Sequence, residues 1–165
     1  MRDYRQASRF RRLVREAAAT RPTAWLCGRT MHHVDRLAYR ATRGRTTFSS
    51  LVSGLPVVML TTTGAKTGRL RTIPVLGLPD SDRLVVVATN YGRPHHPAWY
   101  HNLRANPRAS VSVNGVTREV EAHELTGDER ELHLQRGIEI NPGWARYRRR
   151  AAASRRIPVI RLDPR

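Results

Sequence analysis

The sequence predicts an α+β protein built on an antiparallel β-barrel. Three observations lead there. Short β-rich runs follow one another from Val57 onward, most of them separated by turn residues rather than by long helices. Asn114–Gly115 sits between two such runs, the strongest short hairpin signal a sequence carries. Helical periodicity appears in only a few segments, enough to cover a barrel but not to alternate with every strand.

At 165 residues, 39% of them apolar, the chain is long enough for one domain with a core. Mean hydropathy is −0.54. The longest apolar run, Leu51 to Leu60, is broken by Ser53, Gly54 and Pro56 and falls short of the roughly 18 to 20 residues of a membrane span. The arginines of the N-terminus precede no apolar signal core. A lone cysteine, Cys27, cannot close an internal disulfide and fits a reducing, cytoplasmic setting.

The elements can be taken in order. Phe10, Leu13, Val14, Ala17 and Ala18 give helical spacing over Gln6–Ala19. A second helix is predicted from Pro22 or Thr23 to Thr42, with Met31, Val34, Leu37, Ala38 and Ala41 on one stripe. These form a basic N-terminal extension, residues 1–50, ahead of a barrel domain, residues 51–165. Gly44–Pro56 reads as a Gly/Ser/Thr linker. Val57–Thr63 and Arg69–Leu78 read as a hairpin whose tip is Gly64–Gly68. After a turn at Pro79–Asp82 comes a strand, Leu84–Thr89, then a loop, Asn90–His96. Pro97 opens a helix that ends near Asn106–Pro107. Ala109–Val113 and Val116–Leu125 make the Asn-Gly hairpin. Thr126-Gly-Asp-Glu opens a helix to Ile140, with acids where the helix dipole favours them. Pro142–Arg150 is a shorter helix, and Ile157–Leu162 a final strand.

The net charge of +17 is unevenly spread. Residues 1–55 carry 12 basic and 3 acidic groups, residues 56–142 carry 10 and 9, and residues 143–165 carry 8 and 1. The ends could bind an anionic membrane surface or nucleic acid, yet no nucleic-acid motif accompanies them. Of the basic residues 29 are arginine, and the one lysine, Lys66, falls in the Gly-bracketed loop with Thr67, Arg69 and Arg71. That loop lacks the spacing of a Walker sequence. Its glycines still allow backbone N–H groups to face an anion, beside a compact ammonium. An ordinary polar hairpin turn is the alternative reading.

No catalytic or metal constellation stands out. His95 and His96 are adjacent and point apart, His101 follows on the helix, and no carboxylate completes a metal set, so no metal is expected. No serine sits in a nucleophile elbow. Trp99, Tyr100, Trp144 and Tyr147 can be core or cofactor stack. If the chain is an enzyme, a bound cofactor carries the chemistry.

Four segments together resemble a known family. They are L-T-T-T-G-x-K-T-G-x-x-R from Leu60, V-A-T-N-Y-G from Val87, H-P-A-W-Y-H-N-L-x-A-N-P from His96 and I-P-V-I-x-L from Ile157. In this order and spacing they resemble the deazaflavin (F420)-dependent nitroreductases of actinobacteria, split β-barrel oxidoreductases of flavin-reductase or FMN-binding-like architecture that use reduced coenzyme F420. The match spans Val57 to Pro164; residues 1–50 carry little of it.

The resemblance implies roles. Lys66, Thr67 and Arg71, with the backbone at Ala65, would hold the phosphate and polyglutamate tail. Thr72, Ile73, Pro74, Val75 and Leu76 would line the deazaflavin. Val87, Ala88, Thr89 and Asn90 would run beside it, and Ala98, Trp99, Tyr100, His101 and Asn102 would close over it. Trp144 and Tyr147 would wall the substrate side. Thr89 or Tyr147 would bond the acceptor oxygen as hydride passes to a quinone, an enone or a nitro compound. Nitroimidazole-reducing members carry a basic residue at Asn90 and tyrosines at Asn141 and Trp144, so the likeness is to the cofactor site more than to that substrate. Three other readings stay open: a non-catalytic F420 carrier, an FMN- or haem-binding barrel, and a basic protein acting at a membrane surface or on nucleic acid. A homodimer and peripheral membrane contact through the basic N-terminus are the partner expectations.

Overall fold

In the computed structural model the described residues are 23, 30, 33–35, 37–39, 41–42 and 47–165. The helix expected at Gln6–Ala19, most of the second helix and Cys27 lie outside them. Residues 33–35 and 37–39 are helical, as the second stripe predicts.

Six strands close into a barrel: β1 (Val57–Thr63), β2 (Leu70–Asp80), β3 (Arg83–Val87), β4 (Arg108–Val113), β5 (Val116–Glu124) and β6 (Val159–Pro164). All pairs are antiparallel, in the order β1-β2-β3-β6-β5-β4, and β1 returns to β4. β2 belongs to both halves of the wall. Leu70–Leu76 pairs with β1 and Gly77–Asp80 with β3.

Local chemistry sets the connections. Asn114 and Gly115 take φ of 51° and 83°, the two left-handed residues that a tight hairpin of the right twist requires. The linker Gly44–Pro56 is not all linker: α1 (Phe48–Ser53) lies inside it. Thr47 accepts the Ser50 N–H at 3.1 Å and caps it. Asp35, buried, takes the Ser49 N–H at 2.7 Å and its hydroxyl at 2.6 Å. The turn expected at Pro79–Asp82 is shorter, because β2 runs on to Asp80 opposite Arg83. The last strand begins two residues later than expected, at Val159.

Strand alternation divides the apolar residues into two cores. One lies inside the barrel, where Val58, Leu60, Val86, Val111, Val120, Ile160 and Leu162 converge. Helix α2 (Ala98–Ala105) fills it with Trp99, Tyr100 and Leu103. The other lies outside the β3–β6 wall. Val85, Val87 and Val159 there meet Leu134 of α3 (Gly127–Ile140) and Trp144, Tyr147 and Ala151 of α4 (Gly143–Ala151). The two helices touch closely. A Cβ on Gly137 would stand 2.3 Å from the Trp144 ring, so nothing larger than glycine fits there.

Candidate active site

β1, β3 and β5 run in one direction, so the loops after β1 and β3 lie at one end of the barrel with Glu124. The tip after β1 is a compact turn. Gly64 N–H donates to Arg69 O at 2.9 Å, and the Gly68 N–H to Gly64 O at 2.8 Å. Ala65 through Arg71 are exposed. Among the described residues none of Lys66, Arg69 and Arg71 has a carboxylate partner. Three exposed cations thus share one short tip, with no carboxylate beside them among the described residues.

The tip is braced from below. Asn102 on α2 is buried, its Oδ1 accepting the Ala65 N–H at 3.0 Å and its Nδ2 donating to Thr62 Oγ1 at 3.0 Å. The resemblance implies that it closes over a cofactor; in the structure it also links helix, strand and loop. Arg71 shares a strand face with Ile73 and Val75, which reach the barrel core. Thr72, Pro74 and Leu76 alternate to the other face, where Thr72 Oγ1 meets Thr61 Oγ1 at 2.8 Å. The segment 72–76 therefore offers two linings, not one.

The second loop is strained. β3 stops at Val87, two residues before the expected end. Asn90, Tyr91 and Gly92 then take φ of 45°, 57° and 75° in succession. Left-handed backbone is unusual for asparagine and costly for tyrosine. Gly92 is pressed against α4: a Cβ there would meet the Tyr147 Cα and O at 3.0 Å. Tyr91 packs edge-on to Tyr147 at 5.8 Å between ring centroids. Asn90 Nδ2 donates to His95 O at 2.9 Å. The hydroxyl of Thr89 has no partner among the described residues.

Sequence reasoning missed Arg155. Its Nε donates to Arg93 O at 2.9 Å, its guanidinium nitrogens to Ala88 O at 3.1 Å and Thr89 O at 2.7 Å, and one lies 3.3 Å from His96 Nδ1. Burial pulls the Arg155 pKa down. Burial first, and the Arg155 charge second, also hold His96 below its ordinary value. Beside it, Tyr100 donates its hydroxyl to Glu124 at 2.9 Å, and burial, with Glu124, pushes its pKa up.

The structure thus brings Ala65–Arg71 and Asn102 together, and separately Thr89, Asn90 and Tyr147. α2 links the groups, since His96 just before it stacks on Tyr100 at 4.8 Å. Trp99 and Tyr100 belong to the barrel core and Trp144 and Tyr147 to the helix-side core, all four buried; Ala98 and His101 are exposed. Val87 faces the helix-side core and Ala88 the barrel interior. Among the described residues no cluster of metal-ligating side chains occurs, and no helix is long and apolar enough to cross a membrane.

Comparison with known proteins decides the family. The model of the F420H(2)-dependent quinone reductases matches residues 31–164. The chain belongs to this family. It is an oxidoreductase whose hydride donor is reduced F420, as the motif resemblance implies. An F420H(2)-dependent quinone reductase of Mycobacterium tuberculosis H37Rv is 35% identical over 133 residues, 77% of this chain and 85% of that one. A solved F420-H2 dependent reductase, FDR-A, superposes with a TM-score of 0.60 at 37% identity, covering 66% of this chain and 94% of that chain. A chain solved as a domain-swapped dimer gives 0.62 at 33% identity, covering 86% and 99%. The split β-barrel expectation holds, with the barrel closed.

Proposed function

We propose that this chain passes a hydride from reduced F420 to a quinone at the barrel end that carries the two loops. The observation that carries the reading is the tip of Lys66, Arg69 and Arg71, with no carboxylate partner among the described residues and braced through Ala65 and Asn102. Such a tip fits a ligand whose tail is a string of anions. Bound there, reduced F420 supplies the hydride from C5 of its deazaflavin ring.

The protein does the rest by placement. Lys66, Thr67 and Arg71 hold the tail, while Ile73, Val75 and Ala88 give the ring an apolar bed. The Thr89 hydroxyl donates to the acceptor oxygen as charge grows on it. Tyr147 backs the Thr89 turn through Tyr91 and Gly92, and Trp144 backs the wall behind it. The two-part chain, extension and barrel, belongs to the same reading. So do homodimerisation and contact of the basic N-terminus with a membrane in which quinones dissolve.

The test is titration with F420, FMN and NADPH, followed by oxidation of reduced F420 with quinone, enone and nitro acceptors. Submillimolar affinity for F420 alone, with quinone-dependent turnover, is the expected result. Affinity without turnover makes the chain a carrier, and preference for FMN ends the reading. Removing residues 1–20 is expected to abolish vesicle binding and spare F420 binding.

A further inference from the structure

Ala88 and Thr89 lie just past the end of β3, so their carbonyls have left the sheet ladder. Thr89 O already accepts the Gly92 N–H at 2.9 Å, which leaves its second lone pair and the Ala88 carbonyl for a further donor. On the other side of the turn Arg93 O and His96 Nδ1 need one too. One side chain serves all four: Arg155, which stands 59 to 67 residues away in sequence. Between these contacts sit Asn90 and Tyr91 in left-handed backbone. Such a conformation persists only where its surroundings over-determine it.

We propose that Arg155 is a positioning residue, a cross-brace that holds the strained Ala88–His96 turn and so aims Thr89. The aim of Thr89 rests on the proposed function; the bracing does not. Arg155 is itself anchored, because its N–H donates to Ala151 O at 2.8 Å at the end of α4. The same helix presses Tyr147 and Arg150 on Gly92. The turn is therefore gripped on one side by a helix and spanned on the other by a guanidinium.

The residue type matters. A guanidinium has five N–H groups in a fixed plane, and here they reach acceptors before and after the turn at once. A lysine offers one ammonium on a flexible stem and cannot span that set. Because guanidinium only donates, His96 Nδ1 accepts, which puts the ring proton on Nε2.

Arg155→Ala and Arg155→Lys test this in the full chain. Amide exchange without cofactor is expected to accelerate about tenfold or more in residues 88–96 and to stay unchanged in β1 and β4. Quinone turnover is expected to fall about 10- to 100-fold in kcat. The F420 Kd is expected to stay within about twofold. Added methylguanidinium is expected to restore part of the loss in Arg155→Ala. Wild-type exchange in 88–96 overturns the proposal, as does uniform acceleration across the barrel, which would make Arg155 a general stability residue. A loss carried wholly by Kd overturns it as well. Should the wild-type chain bind no F420, the proposed function fails, and the exchange data alone decide the brace. If Arg155→Ala does not fold, Arg155→Lys carries the comparison.

Discussion

Two loops share one end of the barrel and are held in opposite ways. The tip after β1 is exposed and rich in positive charge, and a single asparagine braces it through two hydrogen bonds. The turn after β3 is half-buried and strained, and Arg155 and α4 fix it from two sides. The first leaves its cations exposed, and its backbone turns left-handed only at Gly68, where glycine permits it. The second is built for geometry. Many of its groups hold one another, while the Thr89 hydroxyl has no partner among the described residues. Recognition of a charged tail and placement of a reacting atom make different demands, and the proposed function assigns them to these two loops.

The sharpest break of that contrast is Lys66→Ala with Arg71→Ala. Loss of two charge-assisted contacts is expected to weaken F420 binding about 100-fold or more. Tm should stay unchanged, since neither cation has a carboxylate partner among the described residues. Fluorescence titration beside thermal melting reads both. An unchanged Kd would remove the tip from the cofactor site.

Gly92→Ala addresses the other loop. The added Cβ strains a φ of 75° and meets the Tyr147 backbone at 3.0 Å. A loss of about 1–3 kcal/mol in stability is expected by denaturant titration. Tail affinity should be spared and turnover reduced. Unchanged stability would mean that α4 yields easily.

Asn102→Ala lies between the two. It strips partners from the Ala65 N–H and the buried Thr62 hydroxyl, at an expected cost of about 1–3 kcal/mol. It is also expected to weaken F420 binding, because the tip loses its support. Stability lost with affinity intact would separate the brace from the site.

The smallest effect is acid sensitivity. His96 has its pKa depressed in the fold, by burial first and then by Arg155, with His101 and Arg104 adding like charge and Glu124 opposing. The unfolded chain therefore takes up the proton first. The stabilising contribution is complete above pH 6.5 and is lost as pH falls through the lower folded value. A steeper acid fall in Tm for the wild type than for His96→Gln is expected. Equal slopes would show that His96 is not the group responsible.

What the sequence disclosed follows the range of the interactions. The Asn114–Gly115 hairpin and the Gly-bracketed tip were legible because a turn is specified by the residues inside it. Helix α1 was not, because its cap is an ordinary-looking Thr47 and its support, Asp35, lies 14 residues upstream of Ser49. Asn102 stands in a motif that the sequence displays, yet the bonds by which it braces the tip are revealed only by contacts 37 and 40 residues away. Arg155 was hidden among the eight arginines of the last 23 residues. Nothing local separates it from Arg156, its exposed neighbour.

Because β1 returns to β4, every strand already has a neighbour on both flanks. Among the described residues the flanks left open are short: Leu70–Leu76 pairs with β1 alone and Val116–Glu119 with β4 alone. Where both flanks are paired, two copies join by matching side-chain surfaces or by trading a whole segment of chain between them. A chain 33% identical to this one is solved in the second arrangement, as a domain-swapped dimer.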